Sequence, residues 1–391
     1  IGQTAVQLHG NLSIKGSKIV DKHGDTVSFA GPSLFWSNTG WGCEKYYSED
    51  VVSWVHSDWK APIIRASMGV NEPGGYLHDS NNKYLVKTVI DAAIAHGMYV
   101  IVDWHCHSAE DYKTDAIDFF TEIATEYGSY PNLIYEIYNE PLNTTSWSNT
   151  IYPYAYAVIQ AIRKKAPNNI IVVGSPTWSQ DVDIVAQSPI TGYKNIAYTL
   201  HFYAGTHGQY LRDKAITAMS KGLCLIVTEW GTVNSNGDGD VALDETELWL
   251  AFMKEHKLTY CNWALNDKNE GASMLQNGAS EYGEWTDSDF TESGLLVRDV
   301  IINWEGNYVG ISSITNQQIV AIQQTTQGNL QISTPNIDSE LIISVSNMQG
   351  VVLQQTKAQG THTLNTSQYA KGVYVVTVEV NKHIQTLKIV L

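Results

Sequence analysis

The 391-residue chain predicts an α/β fold, with a (β/α)8 (TIM) barrel over residues 1–306 and a small antiparallel β-sandwich over residues 310–391. Eight apolar, β-branched runs recur in the first part, and amphipathic helical stretches separate them. Runs that are apolar throughout, rather than alternating, are typical of a parallel sheet covered on both faces. Eight strand–helix units in about 300 residues match the size of this barrel.

The predicted strands follow one another at regular intervals. They are residues 27–31, 61–66, 98–104, 133–139, 170–174, 196–202, 223–230 and 259–265. Before the first strand, residues 12–15 and 18–20 flank Gly16-Ser17 and predict a hairpin at the barrel floor. An open doubly wound sheet is the alternative, but no glycine-rich phosphate loop follows the first predicted strand.

Capping signals mark three of the helices between these strands. Ser48 is positioned to cap a helix over residues 49–59. Gly97 is positioned to end the helix that precedes it, over residues 84–96. Asp244 is positioned to cap the helix that follows it and ends at His256.

Composition changes sharply near residue 306. All 12 Trp, all 7 Phe and all 4 Cys lie before residue 305. From Gly310 onward the charged side chains sum to +1, against −17 for the residues before it. We therefore expect a domain boundary within residues 303–310. In the second domain, alternating strands are expected at residues 341–345, 351–355, 373–380 and 384–390, with turns at Gly350 and Gly372.

Net charge and hydropathy exclude several classes of protein. The formal net charge is −16, which disfavours binding to nucleic acids and to anionic membranes. No apolar run approaches the roughly 18–20 residues that a membrane span requires. The first residues, Ile1-Gly2-Gln3-Thr4, lack the basic and apolar segments of a signal peptide. We expect a precursor that carries a leader absent from this chain. The four cysteines have no metal-type spacing, and Cys224 and Cys261 are expected to be buried thiols.

Polar and aromatic side chains recur at the carboxyl ends of the predicted strands, where a barrel of this kind carries its chemistry. In chain order they are Arg65, His105, Asn139, Glu140, His201, Tyr203, Glu229 and Trp263, with Trp178 just after the fifth strand. Charged groups persist in buried positions when they are paired or used. The set therefore predicts an active site at this rim.

Glu140 and Glu229 follow strands 4 and 7, on opposite sides of the predicted barrel mouth. Cleavage of a glycosidic bond needs such a carboxyl pair, in which one group protonates the leaving oxygen and the other attacks the sugar. Flat apolar faces for stacking on pyranose rings are available from Trp36, Trp178, Trp263 and Tyr203. The pattern therefore predicts a glycoside hydrolase.

Short motifs in this order resemble glycoside hydrolase family 5. Asn139-Glu140-Pro141 and Thr228-Glu229-Trp230-Gly231, with Tyr135-Glu136-Ile137 upstream, carry the resemblance. Residues 178–182, 201–208 and 262–263 narrow it to the bacterial endoglucanase subfamily, subfamily 2. The resemblance extends over about residues 8–303 and implies a retaining cellulase that cleaves internal β-1,4-glucosidic bonds of cellulose and related β-glucans.

The resemblance also implies roles for individual residues, with no cofactor and no metal. Glu140 would be the acid/base, and Glu229 the nucleophile. Asn139 would contact the sugar 2-hydroxyl, and Arg65 and Tyr203 would orient Glu229. His105, His201 and Trp263 would surround the cleaved subsite. Trp36 would lie in a distant glycone subsite and Trp178 on the leaving-group side, and Lys268 and Glu270 would contact glycone hydroxyls. Trp36 and Trp178 on opposite sides of the cleavage point imply an open cleft and endo attack.

The flanking sequence predicts different protonation for the two glutamates. Arg65 and Tyr203 beside Glu229 favour its ionised form. Glu140 has no cation near it in sequence, so we expect a raised pKa, as a proton donor requires.

Two departures from the family pattern leave the substrate range open. Many members have His-Gly where this chain has Ala30-Gly31, and several have a Tyr where it has Gly69. Both positions touch the glycone side, so another β-1,4-glycan such as mannan or xylan remains the alternative substrate.

Two metal sites are also considered. His105-Cys106-His107 with His201 suggests a metal-dependent barrel hydrolase as a remote alternative. Residues 234–239 with Glu245 nearly fit a calcium-loop pattern, although the first position is Asn and the loop follows a strand.

The second domain resembles the C-terminal sorting domain of type IX secreted bacterial proteins. Residues 347–350, 364–375 and 387–390 carry this resemblance, although the usual Pro-Asn-Pro opening is missing. It implies a secreted or cell-surface bacterial enzyme that meets the secretion machinery through this domain. A carbohydrate-binding module is the second interpretation, disfavoured because Tyr369 and Tyr374 are the domain's aromatic residues from Gly310 onward. An inert stabilising domain is the third, and a monomer is expected.

Overall fold

The computed structural model describes residues 3–307, 321–324, 329–333, 340–347, 351–380 and 383–390. The chain divides into two compact units, residues 1–310 and 311–391. Gly350, two further residues of the 347–350 motif and residues 308–310 of the expected boundary lie outside the described residues.

A closed barrel of eight parallel strands forms the first unit and confirms the predicted fold class. A hairpin of β1 (Ser13–Lys15) and β2 (Lys18–Val20) precedes it, as predicted. The barrel strands are β3 (Ala30–Leu34), β4 (Ile63–Gly69), β5 (Tyr99–His105), β6 (Leu133–Glu136), β7 (Ile171–Val173), β8 (Ile196–Tyr203), β9 (Leu225–Gly231) and β10 (Tyr260–Leu265). They pair in chain order, and β10 closes the barrel on β3.

Helices surround the barrel. They are α1 (Ala5–His9), α2 (Glu49–Ser57), α3 (Asn81–His96), α4 (Lys113–Tyr127), α5 (Tyr152–Arg163), α6 (Pro176–Ser179), α7 (Val182–Val185), α8 (Gln209–Ser220), α9 (Leu243–His256) and α10 (Glu292–Ile302). Ser48 caps α2 by accepting from the Val51 backbone N–H, as predicted. Gly97 ends α3 in the left-handed conformation, also as predicted.

The predicted cap of α9 is wrong. The helix begins at Leu243, one residue before Asp244, and no side chain caps it. Asp244 lies in the first turn instead, where its negative charge faces the unpaired N–H groups and the positive end of the helix dipole.

Two apolar layers hold the first unit together because successive strand residues point to opposite faces. On β4, Ile64 packs in the layer between the barrel and its helices. Its neighbour Ile63 packs inside the barrel with Ile101 of β5 and with Leu12 and Ile19 of the hairpin segment. The hairpin thus closes the amino end of the barrel interior, and the next inward position on β4 is Arg65.

All four cysteines are buried free thiols, which confirms the prediction for Cys224 and Cys261. Burial raises the pKa of the Cys43, Cys106 and Cys224 thiols to about 12. Within the described part of the chain, every helix is too short or too polar to cross a membrane.

The described residues of the second unit form two antiparallel sheets that share one apolar core, as the sandwich prediction requires. One sheet contains β11 (Ala321–Gln324), β12 (Leu330–Ser333) and β15 (His362–Leu364). The other contains β13 (Glu340–Asn347), β14 (Val352–Gln359), β16 (Val373–Val380) and β17 (His383–Val390) in the order β14-β13-β16-β17. Ile332 and Leu364 of the first sheet pack against Ile343 and Val376 of the second.

Candidate active site

A cleft of about 340 Å³ opens where the carboxyl ends of the barrel strands meet. Predicted site residues line it: Trp36, His105, Glu140, Trp178, Tyr203, Glu229, Trp263, Lys268 and Glu270. A second cavity of about 400 Å³ adjoins it, shares Glu140, Trp178 and Tyr203, and adds His201. Arg65 and Asn139 are fully buried, and Arg65 reaches Glu229 of the cleft wall. The fold therefore brings all twelve predicted residues into one region.

Glu229 lies on β9 with its carboxylate held by two donors. The Tyr203 hydroxyl donates to Oε1 at 2.7 Å, and Arg65 Nη1 donates to Oε2 at 3.1 Å. Burial alone would raise the pKa of Glu229, but the neighbouring Arg65 guanidinium and the Tyr203 hydroxyl contribute to holding it below its ordinary value. The carboxylate is therefore ionised at neutral pH, as expected of a nucleophile.

Glu140 lies in the loop after β6. This strand ends at Glu136 rather than at residue 139 as predicted. Burial raises the pKa of Glu140 well above its ordinary value, and the nearby Glu229 carboxylate raises it further. An oxygen of Glu140 and an oxygen of Glu229 lie within 4.8 Å of each other. The two carboxyl groups thus differ in protonation across a short gap, which suits one as acid and the other as nucleophile.

Two histidines flank Glu140 in space, although no cation lies near it in sequence. His201 Nδ1 lies 2.8 Å from Oε1, and His107 Nδ1 lies 3.7 Å from Oε2. The neighbours come from β8 and from the loop after β5, so local sequence around Glu140 does not reveal them. Burial lowers the pKa of His201, which keeps the ring neutral and leaves the raised pKa of Glu140 in place.

A buried charge network beneath the cleft was not predicted. Arg65 contacts Asp103 at 2.9 Å, Glu136 at 2.8 Å and the Asn139 side-chain oxygen at 2.7 Å. Its guanidinium faces three carboxylates, counting Glu229, and its pKa is raised well above the ordinary value although burial opposes this. A charged residue within an otherwise apolar strand was the available signal for Asp103 and Glu136.

The other end of the cleft wall is aromatic. The His105 ring stacks on Trp263 with centroids 5.1 Å apart, and it packs nearly perpendicular to the Trp36 ring with centroids 4.1 Å apart. His105 Nδ1 is bonded to Asp103 Oδ2 at 2.6 Å, and burial lowers the pKa of the ring well below its ordinary value. Trp178, 38% exposed, lines both cavities, whereas Trp36 lines only the first. Flat aromatic faces therefore line both the cleft and the adjoining cavity, and Glu140 borders both.

The loop after β9 contributes cleft residues that the sequence did not indicate. Ser235, Asn236 and Gly237 line the cleft beside Lys268 and Glu270, which pair at 2.7 Å. A loop of small polar residues has no periodic signal, so its place in the cleft appears only in three dimensions.

Hydrogen bonds and an ion pair connect that loop and its calcium-like pattern to neighbouring segments. The Asp238 carboxylate accepts from the Gly271 backbone N–H at 2.9 Å. Glu245, the last position of the calcium-like pattern, pairs instead with Arg212. In the described residues, the grouping with metal-like spacing is Glu140, His201 and Glu229, and it does not include the His105–His107 pair of the remote alternative.

Gly69 is required by its surroundings. A Cβ at this position would lie 1.8 Å from the Asn38 side-chain oxygen. The Asn38 amide is held in turn by the backbone oxygens of Glu72 and Pro73. The glycine that departs from the family pattern therefore accompanies an asparagine that fills the space of a larger side chain.

The chain matches two family models. Residues 20–269 match the cellulase model (glycosyl hydrolase family 5), and residues 324–391 match the secretion system C-terminal sorting domain.

Relatives with known names match the first unit. The chain is 55% identical over 294 residues to Endoglucanase Z of Dickeya dadantii, covering 75% of this chain and 66% of that protein. It is 46% identical over 298 residues to an endoglucanase of Clostridium saccharobutylicum, covering 75% and 65%. The chain thus spans about two thirds of the length of these relatives.

Solved structures match as well. A protein from Cytophaga hutchinsonii superposes with a TM-score of 0.74 at 50% identity, over 76% of this chain and 96% of that one. The catalytic domain of Thermobifida fusca endoglucanase Cel5A superposes with a TM-score of 0.72 at 31% identity, over 76% and 99%.

Proposed function

The chain belongs to glycosyl hydrolase family 5, and from this premise we propose that it is an endo-acting β-1,4-glucanase that cleaves cellulose and related β-glucans with retention of configuration. One observation carries the proposal: Glu140 and Glu229 face each other within 4.8 Å with opposite shifts in pKa. Retaining enzymes hold their carboxyl groups about 5–5.5 Å apart, whereas inverting enzymes need roughly 6.5–9.5 Å to admit a water. The short gap supports direct attack.

The first step forms a covalent intermediate. Glu229 attacks the anomeric carbon, and the bond to the leaving oxygen breaks as Glu140 gives that oxygen its proton. Arg65 and Tyr203 orient the attacking carboxylate through the two hydrogen bonds described above. The leaving chain departs with its new hydroxyl, and the glycone remains esterified to Glu229.

The second step hydrolyses that ester. Glu140, now ionised, takes a proton from a water that attacks the same anomeric carbon, and the Glu229 carboxylate departs. Two inversions restore the original configuration. Asn139 supports both steps because its side-chain nitrogen is buried and has no hydrogen-bond partner among the described residues, so it can donate to a sugar hydroxyl.

The cleft supports binding of a chain rather than of a chain end. Trp178 stacks on the leaving-group side, and Trp36 with Trp263 stacks on the glycone side, where Lys268 and Glu270 supply polar contacts. Relatives named endoglucanase support glucan as the substrate. Mannan and xylan are the alternatives because Gly69 departs from the family pattern at the carboxyl end of β4. The expected effect of Ala30-Gly31 is wrong, because these residues begin β3 and lie at the amino end of the barrel.

The second unit supports export. The sorting-domain match over residues 324–391 makes this a secreted or cell-surface bacterial protein. We propose that the unit engages the secretion machinery, and that the enzyme works as a monomer on polysaccharide outside the cell.

A substrate panel with two product measurements tests the proposal. The enzyme should release oligosaccharides from carboxymethyl-cellulose and barley β-glucan, and viscosity should fall before many reducing ends appear. Proton NMR of the first products should show the β-anomer. Cleavage of mannan or xylan without cleavage of β-glucan would contradict the proposed substrate. Viscosity that falls only in proportion to the reducing ends formed would contradict endo attack, and an α-anomer as the first product would contradict retention.

A further inference from the structure

The Thr228 hydroxyl lies between two groups of the buried network. Thr228 is fully buried on β9, directly before Glu229. Its Oγ1 donates to Glu136 Oε1 at 2.7 Å, and His201 Nε2 lies 2.8 Å from the same Oγ1. The other ring nitrogen of His201, Nδ1, lies 2.8 Å from Glu140 Oε1. Four side chains therefore form one row of hydrogen bonds that ends on Glu140.

The protons of this row can be assigned by elimination. A threonine hydroxyl has one proton to donate. Because that proton goes to Glu136, Oγ1 can only accept from His201, and His201 Nε2 must carry a hydrogen. A neutral imidazole with hydrogen on Nε2 has a lone pair on Nδ1. His201 is therefore an acceptor toward Glu140, and the hydrogen between them belongs to the Glu140 carboxyl.

The direction of the row depends on Glu136 remaining ionised. Arg65 Nε donates to Glu136 Oε2 at 2.8 Å, and Arg65 Nη2 donates to Oε1 at 3.3 Å. Burial raises the pKa of Glu136 to about 7, and this guanidinium, which donates to both oxygens, limits the rise and favours the ionised form. With Thr228 as a third donor, the ionised Glu136 carboxylate accepts from every partner, whereas a protonated Glu136 would donate to Thr228 Oγ1 and reverse the row.

We propose that Thr228 and Glu136 are positioning residues that fix the tautomer of His201 and thereby hold the acid proton on Glu140. The inference rests on the proposed function of Glu140 as acid/base. An acceptor facing the carboxyl stabilises its protonated form, and the same lone pair repels the carboxylate that remains after proton donation. Glu140 is thus a proton donor in the first step and a stronger base toward water in the second.

Other charged groups face the same row and stay in place in the test below. Toward His201 these are Glu136, Glu140, Glu229, Arg65 and Asp103. Toward Glu140 they are Glu229, His107, Arg65 and Asp103. The Thr228 side chain exchanges hydrogen bonds with Glu136 and His201 and with none of the other groups named here. Removing its hydroxyl therefore changes the tautomer of His201 while those other charged groups stay in place.

A matched pair of variants tests the inference. Thr228→Val keeps the branched shape and removes the hydroxyl, whereas Thr228→Ser keeps the hydroxyl. In Thr228→Val, His201 is free to carry its hydrogen on Nδ1 and donate it to the Glu140 carboxylate, which lowers the pKa of Glu140. The alkaline limb of kcat/KM should move to lower pH by about one unit. In Thr228→Ser the limb should stay at its wild-type position.

Two further measurements separate this role from a structural one. With a dinitrophenyl cellobioside, whose leaving group needs no proton, formation of the glycosyl-enzyme in Thr228→Val should keep its rate. Nitrogen-15 NMR of histidine-labelled protein, with His201 assigned from a His201→Asn variant, should show the hydrogen on Nε2 in wild type and on Nδ1 in Thr228→Val.

The results that overturn the inference are distinct from those that overturn the proposed function. An alkaline limb that moves equally in both variants, or that moves to higher pH in Thr228→Val, refutes it. So does an Nδ1 hydrogen in wild type, which would mean that Glu136 holds the proton and the row runs in the opposite direction. Failure of wild type to cleave β-glucan would refute the function and leave the NMR result to decide the tautomer.

Discussion

The hydroxyl of Tyr203, at the end of β8, donates a 2.7 Å hydrogen bond to Glu229 Oε1 on the neighbouring strand β9. Because both groups are carried by paired strands of a closed barrel, their separation is fixed by the sheet rather than by a loop. The nucleophile is thus oriented by a residue of a paired barrel strand, and its low pKa depends in part on this donor.

Tyr203→Phe should weaken the attack on the sugar. Loss of a hydrogen bond to a charged group amounts to about 1.5–3 kcal/mol, so kcat on a dinitrophenyl cellobioside should fall roughly 10- to 100-fold. The matched control is Tyr198→Phe on the same strand, whose hydroxyl accepts from the Ile190 backbone N–H away from the cleft. Stopped-flow measurement of the released phenol compares the two, and equal losses would contradict the assignment.

Glu140→Gln and Glu229→Gln should both be nearly inactive on cellulose, but for different reasons. With the activated cellobioside, Glu140→Gln should form the glycosyl-enzyme and then stall, because the base for the second step is missing. Glu229→Gln should form no covalent species. Mass spectrometry of the quenched protein distinguishes them, and an adduct mapped to Glu140 would reverse the roles.

The pH profile of kcat/KM should be set mainly by Glu140. Its pKa is raised, so the proton it must donate is lost as the pH rises through that value, and activity should fall on the alkaline side. Glu229 has a pKa of about 2 and stays ionised down to that region, so its protonation should cause no loss at mildly acidic pH. Profiles are measured within the range where circular dichroism shows folded protein. A fall in kcat/KM near the ordinary pKa of glutamate, seen in the wild type and unchanged in Tyr203→Phe, would contradict this assignment.

Arg65→Met should destabilise the fold strongly. Three buried carboxylates, Asp103, Glu136 and Glu229, would lose their shared cation, and breaking a buried pair in this way costs about 3–5 kcal/mol. The control is Arg298→Met, whose partner Asp58 is partly exposed, with an expected loss of about 1 kcal/mol or less. Urea unfolding gives both values. Similar losses would mean that the network contributes little to stability.

The barrel was predictable because each strand is a continuous apolar run. Such runs arise when both faces of a parallel sheet are buried, so they can be recognised in the sequence alone. The rim residues were predictable because they follow such runs directly. Asp103 and Glu136 were missed because a carboxylate inside a strand gives no sign of its partner, and Arg65 is far from both in sequence. The α9 start was misplaced because a first-turn Asp and a capping Asp look alike in sequence.

The loop residues Ser235 and Asn236 could not be predicted to line the cleft, since their position depends on bonds between distant loops. Asp238 accepts from the Gly271 N–H, and the Gly237 carbonyl accepts from the Ala272 N–H. Neither contact has a signature in a single sequence.

The buried thiols make the chain indifferent to the redox potential around it. With a pKa of about 12, each of Cys43, Cys106 and Cys224 is a thiolate in only about one molecule in 10⁵ at pH 7, and each is buried. An exported protein passes from a reducing to an oxidising compartment, where exposed cysteines would pair or be oxidised. The four cysteines of this chain form no disulfide, so its fold requires neither a disulfide oxidase nor a disulfide isomerase.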